Sequence, residues 1–406
     1  MRFEGTLSPL AERQFRLLWL GRVSSAVGDA LVPVALSFAV LSVNRSAAAL
    51  GSVLAVTTLA RVAFTLVGGV VADRLPRRAV MLTCDGVRAV VQGLVAVLLL
   101  THDMTLPLFF ITGAIFGAAS AFFGPASDGL VPQTVGTRNL QPANALLALS
   151  RNVLNVFGPA LSGALIAAAG TGWVFAVDSA SFVASGVFLV QLRVAPHELP
   201  QRSHFVRELR EGFREVVGRP WVRWPIASFA ISNFCLAAFI VLGPPTFIVH
   251  FHGARDWGVV SACGAVGAIA GALVSARLRP LHPLTACFLV SILLGVPIAA
   301  LALPLPFLVV AGAWLLGSGA ITLGNTWWET TLQRRIPPRV YARVRSYDIL
   351  VSFVFMPLGF VVAPLVARWI GFAATLLVAA SAAAASSLVT ALAPGVQAIR
   401  DEPVEL

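Results

Sequence analysis

Six carboxylic acids, Asp29, Asp85, Asp128, Asp178, Glu329 and Asp348, lie within or at the edge of long apolar stretches of this 406-residue chain. A charge in hydrocarbon is costly, so groups kept there carry protons, neutralise a cation or line water. Asp29 is the deepest, about twelve residues into the first apolar stretch, or roughly 18 Å at 1.5 Å per residue. That is close to the middle of a bilayer. Arg22, Ser25, Asp29, Pro33 and Ser37 recur at helical spacing and make one polar stripe. A carboxyl so placed is the leading candidate for proton coupling, because its protonation can change as its access to water alternates. Arg22 and Arg61 belong with it; the other reading is a permanently ionised Asp29 neutralised by one of these two arginines.

The other acids have local partners in the sequence. Asp85 and Arg88 are one helical turn apart near the inner end of the third stretch and can pair with each other or with the charged loop that precedes it. Asp178, followed by Ser179 and Ser181, reads as a helix-packing or gate hydrogen bond. Glu329 and Asp348 flank a connection that carries Arg334, Arg335, Arg339, Arg343 and Arg345, which makes them gate partners. Asn152, Asn155 and Ser162 share a stripe of the fifth stretch. With Ser25, Ser228, Ser232, Asn233 and Asn325 they form the polar part of a candidate substrate cavity, and Phe38, Phe234, Phe239 and Trp327 supply its apolar walls. No cluster of mid-membrane cations suited to a phosphate or sugar phosphate stands out.

Composition says which elements position these groups. The chain is 58% hydrophobic and 12% charged, far from the roughly 25% charged residues of a soluble domain. Twelve stretches have the twenty or so residues needed to cross about 30 Å of hydrocarbon: 17–43, 47–71, 79–101, 105–127, 143–169, 172–193, 224–250, 256–276, 284–303, 305–328, 346–367 and 370–393. The first is too long for a cleaved signal peptide. The net charge of +11 is not a nucleic-acid footprint, because all 29 basic residues are arginines gathered in short connections. Counted from a cytoplasmic N-terminus, the inner segments hold 23 arginines and the outer ones only Arg45, Arg255 and Arg368. This bias places both termini in the cytoplasm.

The polar segment 195–223 separates residues 1–194 from residues 224–406, with six stretches on each side. Within it Phe205, Val206, Leu209, Phe213, Val216 and Val217 oppose Arg207, Glu208, Arg210, Glu211, Arg214 and Glu215, the pattern of an amphipathic helix on a membrane surface. The halves echo one another at an offset of about 200 residues, as in transporters built from repeats. Cys84, Cys235, Cys263 and Cys287 stand in apolar runs without metal-ligand spacing. His250 and His252 are the only close pair of histidines. No metal or cofactor site follows.

The run Gly69, Val70, Val71, Ala72, Asp73, Arg74, Leu75, Pro76, Arg77, Arg78 resembles the signature between the second and third helices of the major facilitator superfamily. It departs from that signature at Val71 and Pro76. Phe15 to Trp19, Ser25 to Asp29, Ala143 to Ala145, and Gln333 to Pro337 extend the likeness to the bacterial branch of drug, siderophore and macrolide exporters. Gly158, Pro159 and Gly163 resemble the later part of that family's antiporter signature, whose earlier glycines are replaced here by residues such as Leu149 and Asn152. The same three residues serve equally as a close helix-packing motif.

The resemblance implies an all-α membrane protein of two pseudo-symmetric six-helix bundles, multi-pass in a bacterial inner membrane and monomeric. Its activity would be proton-coupled efflux of a small lipophilic compound by alternating access, with substrate, protons and lipids as partners. Asp73 would accept bonds from arginines and a helix N-terminus to latch the cytoplasmic side. Arg74, Arg77 and Arg78 would meet acidic headgroups or Asp128. Gly69, Asp85, Arg88, Glu329, Arg343 and Asp348 complete the expected gate. Uptake by the same fold is the alternative. A non-transporting receptor, or a membrane enzyme, for which no catalytic motif is seen, is a remote one.

Overall fold

The computed structural model describes residues 8–194, 214 and 216–400, without the side chains of 66–74, 338, 339, 342, 343 and 346. Among these residues twelve segments are long and apolar enough to cross a bilayer, and each expected stretch falls on one of them. In chain order the helices are α1 (Arg13–Val43), α2 (Ala47–Arg74), α3 (Arg77–Leu100), α4 (Leu106–Thr134), α5 (Leu140–Ala169), α6 (Thr171–Gln191), α7 (Pro220–His250) and α8 (Ala254–Ser275). There follow α9 (Pro283–Ser291), α10 (Gly295–Ala302), α11 (Phe307–Arg335), α12 (Pro338–Val354), α13 (Met356–Ile370) and α14 (Phe372–Leu392). The ninth span is α9 continued by α10, and the eleventh runs through the end of α12 into α13. Most of the expected amphipathic helix between the halves lies outside the described residues.

The chain forms two compact units, one of Met1–Gln201 with His252–Gly258, the other of Arg202–Phe251 with Val259–Leu406. In the first, α1 packs along α5 and α6, α2 along α4, and α3 against α4 and α6. The second repeats this order: α7 lies along α13 and α14, α8 crosses α11, and α9 lies against α11 and α14. Two glycines at the expected offset mark the repeat. Gly170 ends α5 at φ +90° and Gly371 ends α13 at φ +88°, a backbone that side chains other than hydrogen strain. Each half therefore turns from its fifth to its sixth span on the same device.

Outward faces are greasy, with Trp369, Leu308 and Val249 more than 70% exposed, as a hydrocarbon solvent demands. Between helices, where lipid gives no hydrophobic drive, small residues let backbones touch. A side chain on Gly117 of α4 would run into the carbonyl of Thr57 on α2, and one on Gly271 of α8 into that of Gly319 on α11. Gly86 of α3 has open space around it. Gly117→Ala should lower the stability of the purified protein by about 1–3 kcal/mol, because a backbone has to move. Gly86→Ala should be neutral or gain up to about 1 kcal/mol. Thermal unfolding in detergent checks the pair, and equal midpoints for the two variants would refute close α2–α4 packing.

Candidate functional site

Arg88 stands at the middle of α3 with its side chain 2% exposed. One guanidinium nitrogen donates to Asp85, one turn back on the same helix, and another donates to Asp29 Oδ2 at 3.3 Å. Its planar face lies between the rings of Phe123 on α4 and Phe182 on α6, 4.2 and 4.3 Å from their centroids. Asp85 accepts a further bond from Ser185 of α6 at 2.6 Å. Four helices thus meet on one guanidinium. Asp85 is 1% exposed, whereas the Asp29 side chain is 42% exposed and is the member that reaches water.

This arrangement revises several expectations. Asp29 pairs with Arg88 and not with Arg22, which is bound at 3.0 Å to the exposed Asp128. Arg61 faces the same space as Asp29 without bonding to it. Asp85 and Arg88 belong to the core of the first unit, not to the loop after α2, because a buried pair needs partners from α1 and α6 that the loop cannot offer. Asp178 is fully buried. It accepts from Gln92 Nε2 at 2.5 Å and sits against Gly28, the helix-packing role read from its serine neighbours.

Arg77 donates to the carbonyl of Gly129 at 2.5 Å, and Arg78 to the carbonyls of Leu189 and Val190. Arg78 therefore caps the C-terminal end of α6, where a cation meets the negative pole of the helix. The expected contact of these arginines with Asp128 is replaced by Arg22. The side chains of Gly69, Asp73, Arg74 and Arg343 lie outside the described residues. His252, one of the close histidines, is bound through Nδ1 to Asp256 at 2.9 Å.

The first unit encloses a cavity of 540 Å³ lined by Arg22, Ser25, Asp29, Arg61, Arg88, Asp128, Arg151 and Asn155, with Phe116, Phe123 and Leu154 among its apolar walls. Four guanidinium groups face two carboxylates. The sequence reading saw no cluster of mid-membrane cations, whereas Arg151, counted with the inner arginines, faces this cavity from α5 beside Arg22, Arg61 and Arg88. The lining face of α5 runs through Leu147, Arg151 and Asn155, one residue away from the expected face of Asn152, which lines neither cavity described here. Ser162 is buried and donates to Leu31 O at 2.7 Å.

The second unit has a separate cavity of 360 Å³ lined by Ser232, Asn233, Asn325, Trp328, Glu329, Arg345 and Asp348. Arg345 bridges Glu329 and Asp348, and Trp328 Nε1 donates to Asp348 at 3.1 Å. Arg345 is the cation that the sequence reading left among its neighbours. The expected Trp327 is turned into the core, donating to Leu278 O at 3.2 Å, and its successor Trp328 takes the cavity wall. Phe38 and Phe239 are buried packing residues, the latter stacked on Trp314 at 4.6 Å. Phe234 offers its carbonyl to the close approach of Gly359. Gly158 packs against Ala30, and Gly163 against the backbone of Ala254 within the same unit, with Pro159 inside α5. All three are in close helix contacts.

Residues 4–401 match the family model described as transmembrane secretion effector. An enterobactin exporter of Citrobacter koseri is 26% identical over 267 residues, 65% of this chain and 63% of the relative. One of Shigella boydii is 28% identical over 266 residues, with the same coverage. The match thus spans less than two thirds of these relatives' length. Among solved structures, a bacterial homologue of the iron transporter ferroportin superposes with a TM-score of 0.75 at 18% identity, covering 94% of this chain and 99% of that one. The nucleoside transporter NupG does so with 0.74 at 14% identity, covering 92% and 98%.

Removing the cation from a buried pair strands the carboxylate and costs about 3–5 kcal/mol. Arg88→Met should therefore lose most folded protein on solubilisation. Adding Asp85→Asn should restore a good part of it, since Asp29 can hydrate at the cavity edge. Monodispersity and unfolding midpoints of the single and double variants measure this. An Arg88→Met protein as stable as its parent would show that the pairing does not hold the four helices.

Proposed function

We propose, from the premise that this chain belongs to the transmembrane secretion effector family of the major facilitator superfamily, that it exports a small lipophilic compound in exchange for protons. Its class is a multi-pass membrane transporter of the exporter branch, not an enzyme. The relatives that carry the name of enterobactin exporters support the outward direction. An inner-membrane orientation with both termini in the cytoplasm is supported by the arginine bias of 23 to 3.

The observation that carries the coupling is the asymmetry around Arg88. Asp85, Phe123, Phe182 and, through Asp85, Ser185 hold the guanidinium to α3, α4 and α6, and of these four residues Phe123 alone lines the cavity. Among the described residues Asp29 on α1 is its only ionic partner that lines the cavity. Protonating Asp29 removes one charge-assisted bond, an interaction of about 1.5–3 kcal/mol, and leaves Arg88 anchored by the rest. The element released is α1. A proton arriving from the cavity is thereby converted into looser attachment of one helix, which biases a two-state transporter. In the second unit's cavity Ser232, Asn233 and Asn325, set among phenyl and aliphatic groups, suit orientation of a compound that is mostly apolar.

Asp29→Asn should abolish export driven by a proton gradient, at least tenfold in initial rate, while substrate binding persists because the amide matches the protonated acid in shape. Everted vesicles energised with and without an uncoupler give the rate, and equilibrium binding gives the second quantity. Normal pumping with normal pH dependence in Asp29→Asn would reduce Asp29 to a structural ion-pair partner.

A further inference from the structure

The cations facing the first unit's cavity are not equally occupied. Arg22 is bound to Asp128, and Arg88 to Asp29 and Asp85. Arg61 of α2 and Arg151 of α5 also face it, and neither has an ion-pair partner among the described residues. Both sit inside their helices, not at the ends, and both present their charge to the cavity. The second unit offers a contrast, since its cavity's Arg345 is fully engaged by Glu329 and Asp348. The acids Asp85 and Asp178 do not line the first cavity, so neither answers the two free guanidinium groups.

We propose that this cavity binds the carboxylate of an amphiphilic organic acid, with Arg151 and Arg61 as its cationic contacts and Phe116 and Leu154 against its apolar body. A guanidinium presents paired N–H donors that match the two oxygens of a carboxylate. Asn155, one turn beyond Arg151 on the same face, adds an amide to orient the group. A cationic amphiphile meets four positive groups against two negative ones and is disfavoured. This inference rests on the export reading for taking the bound acid as cargo, and it narrows that cargo from any lipophilic compound to an anionic one.

The test is binding of three matched probes to the full-length protein in phosphatidylcholine nanodiscs, whose lipids bring no net anionic headgroup: 1-pyrenebutyrate, its primary amide, and 1-pyrenebutylamine. Anisotropy is corrected with empty discs. The carboxylate should bind about tenfold or more tighter than the amide, a difference of about 1.4 kcal/mol, and the amine more weakly still. Arg151→Gln should cut the preference for the acid severalfold with the amide's affinity retained, Arg151→Lys should keep more of it, and Arg61→Gln together with Arg151→Gln should abolish it. Equal affinities for the three probes, tighter binding of the amine, or a loss of acid and amide affinity together in Arg151→Gln would overturn the proposal. Export in proteoliposomes separates the two readings. Acid binding without gradient-driven export would sink the export reading alone, and export of neutral compounds without any acid preference would sink this one alone.

Discussion

A single guanidinium, almost wholly buried at the edge of the cavity, organises the first unit. Desolvating Arg88 is tolerable only because two carboxylates and two ring faces surround it. Those partners come from α1, α3, α4 and α6, so the order in which these helices pack is tied to one charge. The rest of the cavity follows. Asp29 must stand where α1 meets α3, which leaves Arg22 to find Asp128 instead and exposes the α2 and α5 faces that carry Arg61 and Arg151.

The two halves share a plan and differ in charge. The same span pairings and the same left-handed glycine between fifth and sixth spans recur, yet one cavity is rich in guanidinium while the other holds one arginine between two acids. Repetition of backbone therefore does not impose repetition of chemistry. The side chains facing inward are free to diverge once glycine contacts and turns have preserved the frame.

Much of the frame was legible in the sequence. Long apolar runs have no other stable fate in a bilayer than helices that satisfy their own backbone, so the twelve spans could be read directly. Close helix contact was one of two readings open for Gly158 and Gly163, and a packing hydrogen bond one of two for Asp178. What could not be read was which side chains meet across helices. Periodicity ranks faces of one helix, but a shift of one residue rotates the face by about 100°, enough to exchange Trp327 for Trp328 and Asn152 for Arg151. The partner of Asp29 lay 59 positions away on another helix, and nothing within α1 pointed to it.

The use of arginine, and never lysine, for the chain's 29 cationic side chains fixes the charge that the first cavity carries. A guanidinium does not give up its proton at any pH a cell meets, unlike an amine or an imidazole. Among the described residues the walls of the first cavity contain no lysine or histidine, and their carboxylates are Asp29 and Asp128. The four positive charges of Arg22, Arg61, Arg88 and Arg151 are therefore a fixed property of that cavity, whatever the pH on either side.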